Sequence, residues 1–491
     1  MSTHLFSVLS PILALPAAPI LRTLVLALVA GLSGLAVAQT TPTGVQNTTS
    51  SYTYDASGNL SSVTDPLGNV TLYTYDSLNR RISNTDANQG VTRFTYNAQS
   101  QLTSVTDPRQ LVTNYQIDGL GNLLTLTSPD TGVTRRTVDV AGNLISSQDA
   151  KGQSTTYRYD VLNRLTQVTY ADGQKVSYQY DQGVNGIGRL SQITDSSGSI
   201  TYTYDQMGRI VQDSRTIGST TSAVIRYSRD QAGQIASITY PDGRILSYTR
   251  DALGRVQQLI SNHNGTTATV VSNVVYTPTG DIASYQNSTG ATITRNRDLD
   301  GRTTSYSLGS QTRSLSYDAG SRLITQTDPV NSVSYAYDAL SRITGAISPT
   351  SSSSYTYDAV GSRTAMGNGG AMTQYDYAAT GNQLTHISSL PSGIQGTIQS
   401  DANGSITSTV NGTIVSQLAY DARGRLVTAQ TAMGTVTYQI NALGQRVQKI
   451  TPIAATVFYY DLDGRLIGEN SAGHGIDYIW LNATPVVVAR Y

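Results

Sequence analysis

The chain has no cysteine. That excludes a disulfide framework, a thiolate zinc site and a cysteine nucleophile. It has one glutamate, Glu469, and three lysines, Lys151, Lys175 and Lys449. Those two residue types usually fill exposed helix faces, so 491 residues without them exclude a helical protein. A single glutamate also makes a His-Glu-x-x-His zinc motif impossible, because Glu469 has no flanking histidines. Formal net charge is +0, which leaves no basic footprint for nucleic acid. There is no Gly-x-Ser-x-Gly elbow and no glycine-rich loop ending in Lys-Ser/Thr. What the chain does have is 44 Gly, 32 Tyr and abundant Ser and Thr, the composition of strands and turns.

Residues 1–38 differ from the rest. Arg22 precedes an apolar run, Thr23 to Val37, which closes with Ala36-Val37-Ala38 before Gln39. This is the pattern of a secretory signal peptide, and a run of roughly 15 residues falls short of the ~20 that span a bilayer. The expectation is an exported protein, secreted or held at the cell envelope, with a mature start near Gln39. No membrane span is expected beyond the signal peptide.

From Tyr52 onward the sequence repeats. Tyr52-Thr53-Tyr54-Asp55-Ala56-Ser57-Gly58-Asn59-Leu60 returns as Tyr73-Thr74-Tyr75-Asp76-Ser77-Leu78-Asn79-Arg80, and again around Asp160, Asp205, Asp251, Asp338, Asp358, Asp421 and Asp461. Twenty copies align between Tyr52 and Leu466, spaced by 21 residues early and 20 late, with insertions after Asp181, Asp205, Asp251 and Ala378. Tyr-x-Tyr puts two rings on one strand face, because side chains alternate. Asp followed three residues later by Gly fits a type I turn whose last position needs positive φ. A second strand and a second turn complete each copy, as in Leu60-Ser61-Ser62-Val63-Thr64 and Asp65-Pro66-Leu67-Gly68.

About 40 strands result. Laid flat at ~4.8 Å each they would make a sheet roughly 190 Å wide, far beyond what an open twisted sheet sustains. The predicted fold is therefore all-β: a long antiparallel hairpin ribbon coiled into a hollow spiral shell or barrel. Large aliphatic residues look too sparse for a thick core, which favours a single-layer wall. A linear solenoid of parallel rungs is the alternative.

The recurrent Tyr-x-Tyr-Asp-x-x-Gly-Arg-Leu resembles the YD-repeat of the Rhs family, found also in wall-associated bacterial proteins, insecticidal toxin-complex subunits and teneurins. The resemblance covers residues 51 to 470. Tyr460-Asp461-Leu462-Asp463-Gly464-Arg465-Leu466 through Tyr478-Ile479-Trp480-Leu481 looks like the approach to the Rhs-associated core. The implied organisation is a signal peptide at 1–38, a linker at 39–50, a repeat shell at 51–470, and the start of a core at 471–491. The resemblance implies a β-shell that encloses a C-terminal toxin or plugs its own ends, and in some members self-cleavage by core aspartates. No self-cleavage segment and no toxin domain is expected before Tyr491.

The site expectation is that there is none: no catalytic, cofactor-binding or metal residues. The Asp column is read as architecture, each carboxylate accepting backbone N–H groups in an Asx-turn. Arg164, Arg209, Arg255, Arg342, Arg425 and Arg465 are expected to form ladders with Asp and Tyr. Asp461-x-Asp463-Gly464 and Asp298-x-Asp300-Gly301 look like calcium loops but lack a glutamate at the twelfth position. His263, His386 and His474 have no neighbouring histidine in sequence. The Tyr rows, such as Tyr335 and Tyr337, are read as wall packing, with a glycan-binding surface as the alternative. The functional expectation is a non-catalytic scaffold for an encapsulated toxin or a C-terminal partner chain. A carbohydrate-binding adhesin and a truncated fragment without independent function are the alternatives.

Overall fold

The computed structural model describes residues 49–218, 221–390, 394–411 and 414–491. The signal peptide expected at 1–38 and nearly all of the linker expected at 39–50 lie outside the described residues. Forty-two strands and no helix make up what is described. Each strand pairs antiparallel with the next, from Ser51–Tyr54 through to Thr484–Arg490. The two end strands do not pair with each other, so the sheet is not closed. Antiparallel pairing throughout removes the solenoid alternative. The hairpin His474–Leu481 and Thr484–Arg490 continues the ladder and accounts for the strands beyond forty.

One hairpin shows why the sequence folds this way. Val70–Tyr75 alternates exposed and half-buried residues and pairs with Arg81–Thr85. At the turn the Asn79 N–H donates to the Asp76 carbonyl, and the Asp76 N–H to the Arg80 carbonyl. The register slips between Thr74 and Tyr75. Together these define a type I turn followed by a bulge, with the bulge residue in the left-handed region. Gly58 holds that position at φ 81°, Asn79 at 59° and Ser341 at 61°.

The ribbon coils on itself. Turns of its first half meet turns of its second half at separations from 228 residues (Asp195 to Arg423) to 275 residues (Asp107 to Asn382). The pairing follows a rule. The second turn of each early repeat, around Asp107, Asp130, Asp149, Asp195 and Asp242, docks on the Asp-x-x-Gly turn rim of the later repeats or on the strand that follows them. We call the two halves the first and second windings, and their junction the seam.

Where the strands lengthen, the wall thickens. Ile217, Ile225, Leu246, Leu259 and Val271 pack with Val447, Ile467, Ile479 and Leu481 into one fully buried cluster. Strands Thr221–Arg229 and Thr266–Tyr276 run to nine and eleven residues there. The expectation of a thin wall throughout is corrected for this region. Aliphatic residues are sparse on average but concentrated on the lengthened strands.

Candidate functional site

Three features carry chemistry: the repeat ladder, the seam, and a buried charge cluster at the seam's far end. In the ladder, Asp338 Oδ1 accepts the backbone N–H groups of Leu340 (2.9 Å) and Arg342 (3.0 Å). Its Oδ2 accepts Arg342 Nε at 2.6 Å. Arg342 then reaches into the next repeat, donating to the Asp358 carbonyl at 2.9 Å and stacking over the Tyr357 ring at 4.8 Å. Tyr357 in turn donates its hydroxyl to the Ile343 carbonyl at 2.7 Å. Arg80 with Tyr96, Arg164 with Tyr180, and Arg322 with Tyr337 repeat the stacking. The Asp–Arg and Arg–Tyr ladders expected from sequence are present, and Asp is an architectural residue in them.

The tyrosine just before the turn is spent on this task in many repeats. Tyr96, Tyr159, Tyr204, Tyr317, Tyr337 and Tyr460 all donate to a backbone carbonyl of the preceding repeat. That weighs against a glycan surface built on these hydroxyls. Tyr337→Phe, which removes one such bond and keeps the ring, is expected to lower stability by about 0.5–1.5 kcal/mol. Urea denaturation checks it.

The seam is polar. Arg109 donates to the carbonyls of Gly381 (3.0 Å) and Ala378 (2.8 Å) and to Asn382 Oδ1 (2.8 Å). Asp130 accepts the Asn382 N–H at 2.5 Å, and Asp149 accepts Asn403 Nδ2 at 2.6 Å. Lys151 pairs with Asp401 at 3.0 Å, and Arg423 stacks over Tyr170 at 4.3 Å. Carboxylates and cations on the early turns thus face amides, carbonyls, a carboxylate and a guanidinium on the late ones.

At its far end the seam buries its charges. Arg244 Nε donates to Asp477 Oδ2 at 2.5 Å, and its Nη1 to Ser261 Oγ at 3.1 Å. His263 Nε2 lies 3.1 Å from Asp242 Oδ2, and its ring meets Tyr491 edge-on at 5.5 Å. Asp477 is 1% exposed and Arg244 7%. Burial pushes the Asp477 carboxyl up to about 7; Arg244 pulls it down and the neighbouring Asp242 carboxyl raises it further. A separate pair, Asp213 and Arg215, is buried nearby with 2.7 Å between Oδ2 and Nη2, and Arg215 reaches Gln445 at 2.9 Å.

Opposite pKa shifts set a pH window. The Arg80 side chain and N–H hold Asp76 below the usual carboxylate range; Arg255 does the same for Asp251, and Asn143 for Asp139. Stability from such depressed groups is present above about pH 4 and lost as pH falls through their folded values. Asp477 is raised, so its contribution is present below the ordinary aspartate value of 3.8 and lost as pH rises to about 7. Resistance to urea is therefore expected to peak at mildly acidic pH and to fall toward pH 8. A midpoint that rises steadily from pH 5 to pH 8 would contradict this assignment.

Of the cluster residues only His263 was named from sequence, as a histidine without a neighbouring histidine; Arg244 and Asp477 were not. The available signal was register: Asp477 alternates with the buried Gly475, Ile479 and Leu481 along one strand. His386 lies instead 3.4 Å from Asp376, and His474 is exposed at an open cavity of about 640 Å³. That cavity is also lined by Arg446, Lys449, Arg490 and the sole glutamate. In the loops that look like calcium sites, Asp300 pairs with Arg302 at 3.2 Å and Asp463 with Arg465 at 2.9 Å. Among the described residues no helix is long and apolar enough to cross a membrane.

A coiled antiparallel ribbon of short hairpins, each stitched to the next by Asp, Arg and Tyr, defines a YD-type β-shell wall. Residues 33–66, 54–91, 75–112, 96–134, 138–175, 185–221 and 223–267 match the RHS Repeat, and residues 322–483 the Teneurin YD-shell. The chain belongs to the Rhs/YD-repeat family. Its fold is similar to the Tc holotoxin pore of Photorhabdus luminescens, with TM-score 0.65 and 14% identity over 88% of this chain and 27% of that one. It is also similar to TcdB2-TccC3 without the hypervariable C-terminal region, with TM-score 0.64 and 15% identity over 88% of this chain and 27% of the other. Double-stranded DNA deaminase toxin A of Burkholderia cenocepacia (strain H111) is 30% identical over 156 residues, 30% of this chain and 10% of that protein. The chain thus spans about a quarter of the solved structures and a tenth of the curated relative.

Proposed function

We propose that this chain is a non-catalytic wall segment of an exported shell, one that a toxin or a C-terminal partner chain completes or occupies. The observation that carries the reading is the seam. Arg109, Asn382, Asn403 and Arg423 lock two windings of ribbon together through groups that only a coiled wall brings into contact. Most of the Asp, Arg and Tyr groups named in the ladder are engaged in holding that wall. The likeness to Tc toxin structures supports a role near a toxin partner, and the run from Thr23 to Ala38 supports export.

Two measurements test the proposal. Fractionation of the producing cell is expected to recover a chain that begins near Gln39 outside the cytoplasm; recovery from Met1 in the cytosol would overturn export. The chain purified from that cell is expected to carry a second polypeptide that resists protease. Arg109→Ala with Asn382→Ala, which opens the seam, is expected to expose it. A chain isolated alone, or a companion digested equally in both forms, would overturn the scaffold role.

A further inference from the structure

Near its last strands the sheet face that carries the Tyr-x-Tyr rings breaks its own pattern. In regular copies the strand after the Asp-x-x-Gly turn sets an apolar pair against the two rings. Leu60 and Val63 oppose Tyr54 and Tyr52, and Leu165 and Val168 oppose Tyr159 and Tyr157. In the strand Arg446–Ile450 the same two positions are Arg446 and Lys449, opposite Ile440 and Tyr438. The register carries this face onward. Lys449 opposes Thr456, Thr456 opposes Ser471, and Ser471 opposes His474. Two residues along, Phe458 opposes Glu469, Glu469 opposes Ile476, and Ile476 opposes Arg490. Residues opposed in register, or two apart on one strand, share a face.

These side chains line the open cavity of about 640 Å³ at His474, and its charge is lopsided. The whole chain balances 32 basic against 32 acidic side chains, yet the cavity holds three cations, Arg446, Lys449 and Arg490, and one carboxylate. Arg80, Arg164, Arg322 and Arg342 in the ladder each pair with an aspartate. Arg446 lies instead over the Phe458 ring at 4.5 Å, and among the described residues neither Lys449 nor Arg490 has a carboxylate within ion-pair distance. Glu469 is engaged by the Tyr478 hydroxyl at 3.1 Å. A concave site lined by one sign of charge concentrates ligands of the other. The strands of Lys449 and Arg490 are four spacings apart, ~19 Å, so the anionic groups that suit both ends are spread out. Glu469 lies between those ends and repels a continuous run of charge. Carboxylates spaced along an extended peptide, with apolar side chains between them for Phe458 and Ile476, match this lining; closely set phosphates do not.

We propose that this cavity holds an acidic segment of a polypeptide, its Asp or Glu carboxylates on Lys449, Arg490 and Arg446 and its apolar side chains on Phe458 and Ile476. The proposal rests on the reading of a wall that a second polypeptide completes or occupies, and it names the chemistry by which that polypeptide is held. Guanidinium against carboxylate is the pairing the ladder itself uses, and it is the stronger kind of hydrogen bond. Here the carboxylate comes from the guest.

Fluorescence anisotropy on the mature chain tests this with a labelled peptide rich in Glu and Ala, and with its counterpart carrying Gln for every Glu. The acidic peptide is expected to bind at least about tenfold more tightly, roughly what two partly exposed ion pairs supply. Lys449→Gln with Arg490→Gln is expected to abolish that difference and to leave the urea midpoint unchanged, since neither side chain holds an ion pair in the wall. Glu469→Gln is expected to tighten binding. Lys175 and Arg226 are exposed cations that alternate with the buried Val176, Ile225 and Tyr227, so they face the other way. Lys175→Gln with Arg226→Gln is therefore expected to bind the acidic peptide as the natural chain does. Equal binding of the two peptides would overturn the inference, as would an equal loss in the Lys175 and Arg226 variant. Inorganic tripolyphosphate that displaces the peptide at equal concentration would overturn the choice of carboxylates. The titration needs no natural companion, so a chain isolated alone would strike the shell reading and leave this site to be judged on the peptides.

Discussion

Arg244→Met is expected to destabilise the protein by about 3–5 kcal/mol at pH 7, the usual cost of stranding a buried charge. The side chain bridges Asp477, Ser261 and the His263 ring, and its removal leaves two carboxyl groups facing each other away from water. Acidification supplies the test specific to this cluster. Burial holds the Asp477 carboxyl up at about 7 even with the guanidinium in place, and without that cation Asp477 holds its proton more strongly. The deficit should therefore shrink markedly between pH 8 and pH 5. A deficit independent of pH would mean that Arg244 acts by packing alone. Hydrogen exchange should place the damage in His474–Leu481 and in the strand Val256–His263 that carries Ser261 and His263.

Arg215→Met is expected to cost a similar 3–5 kcal/mol, because Asp213 is 0% exposed and takes three of its contacts from that guanidinium. Here the informative partner is the double variant Asp213→Leu with Arg215→Met. Removing both charges is expected to be near neutral, since the pair's desolvation cost disappears with its attraction. Gln445 loses one hydrogen bond in either case. If the double variant is as unstable as the single one, the pair is positioning the second winding through Gln445 and its charge balance is secondary. Urea midpoints of the three proteins decide between these outcomes.

Most of the fold was legible in the repeat. Tyr-x-Tyr-Asp-x-x-Gly dictates a strand, a turn and a bulge by local chemistry, and no distant contact is needed to decide it. The coil followed from the width of a flat sheet. What stayed hidden was the partner of each turn across the seam. Asn382, Asn403 and Arg423 read as ordinary turn residues, and no periodic signal links them to Asp130, Asp149 or Tyr170 some 250 residues earlier. The core was missed for a related reason. Ile225, Leu259 and Val271 lie on strands that the insertions lengthen, and an insertion registers in sequence as a break in pattern. Of the buried charges, Asp213 and Arg215 fall on one such lengthened strand and Asp477 lies beyond the last repeat, while Asp242 and Arg244 sit at an ordinary second turn whose partner is distant.

The spacing of the seam also orders events in time. The first winding leaves the ribosome with Asp107, Asp130, Asp149 and Asp195 bare, and their partners follow 228 to 275 residues later. At ordinary elongation rates of ~5–20 residues per second that is a delay of roughly ten to fifty seconds. Neighbouring hairpins zip as they emerge, since every strand pairs with the next. The nascent chain therefore passes through a long-lived half-coil whose second-turn rim is lined with solvated carboxylates and the cations Arg109 and Lys151. Those solvated groups, later met by Asn382, Asp401, Asn403 and Arg423, keep half-made molecules from sticking to one another until the second winding arrives to cover them.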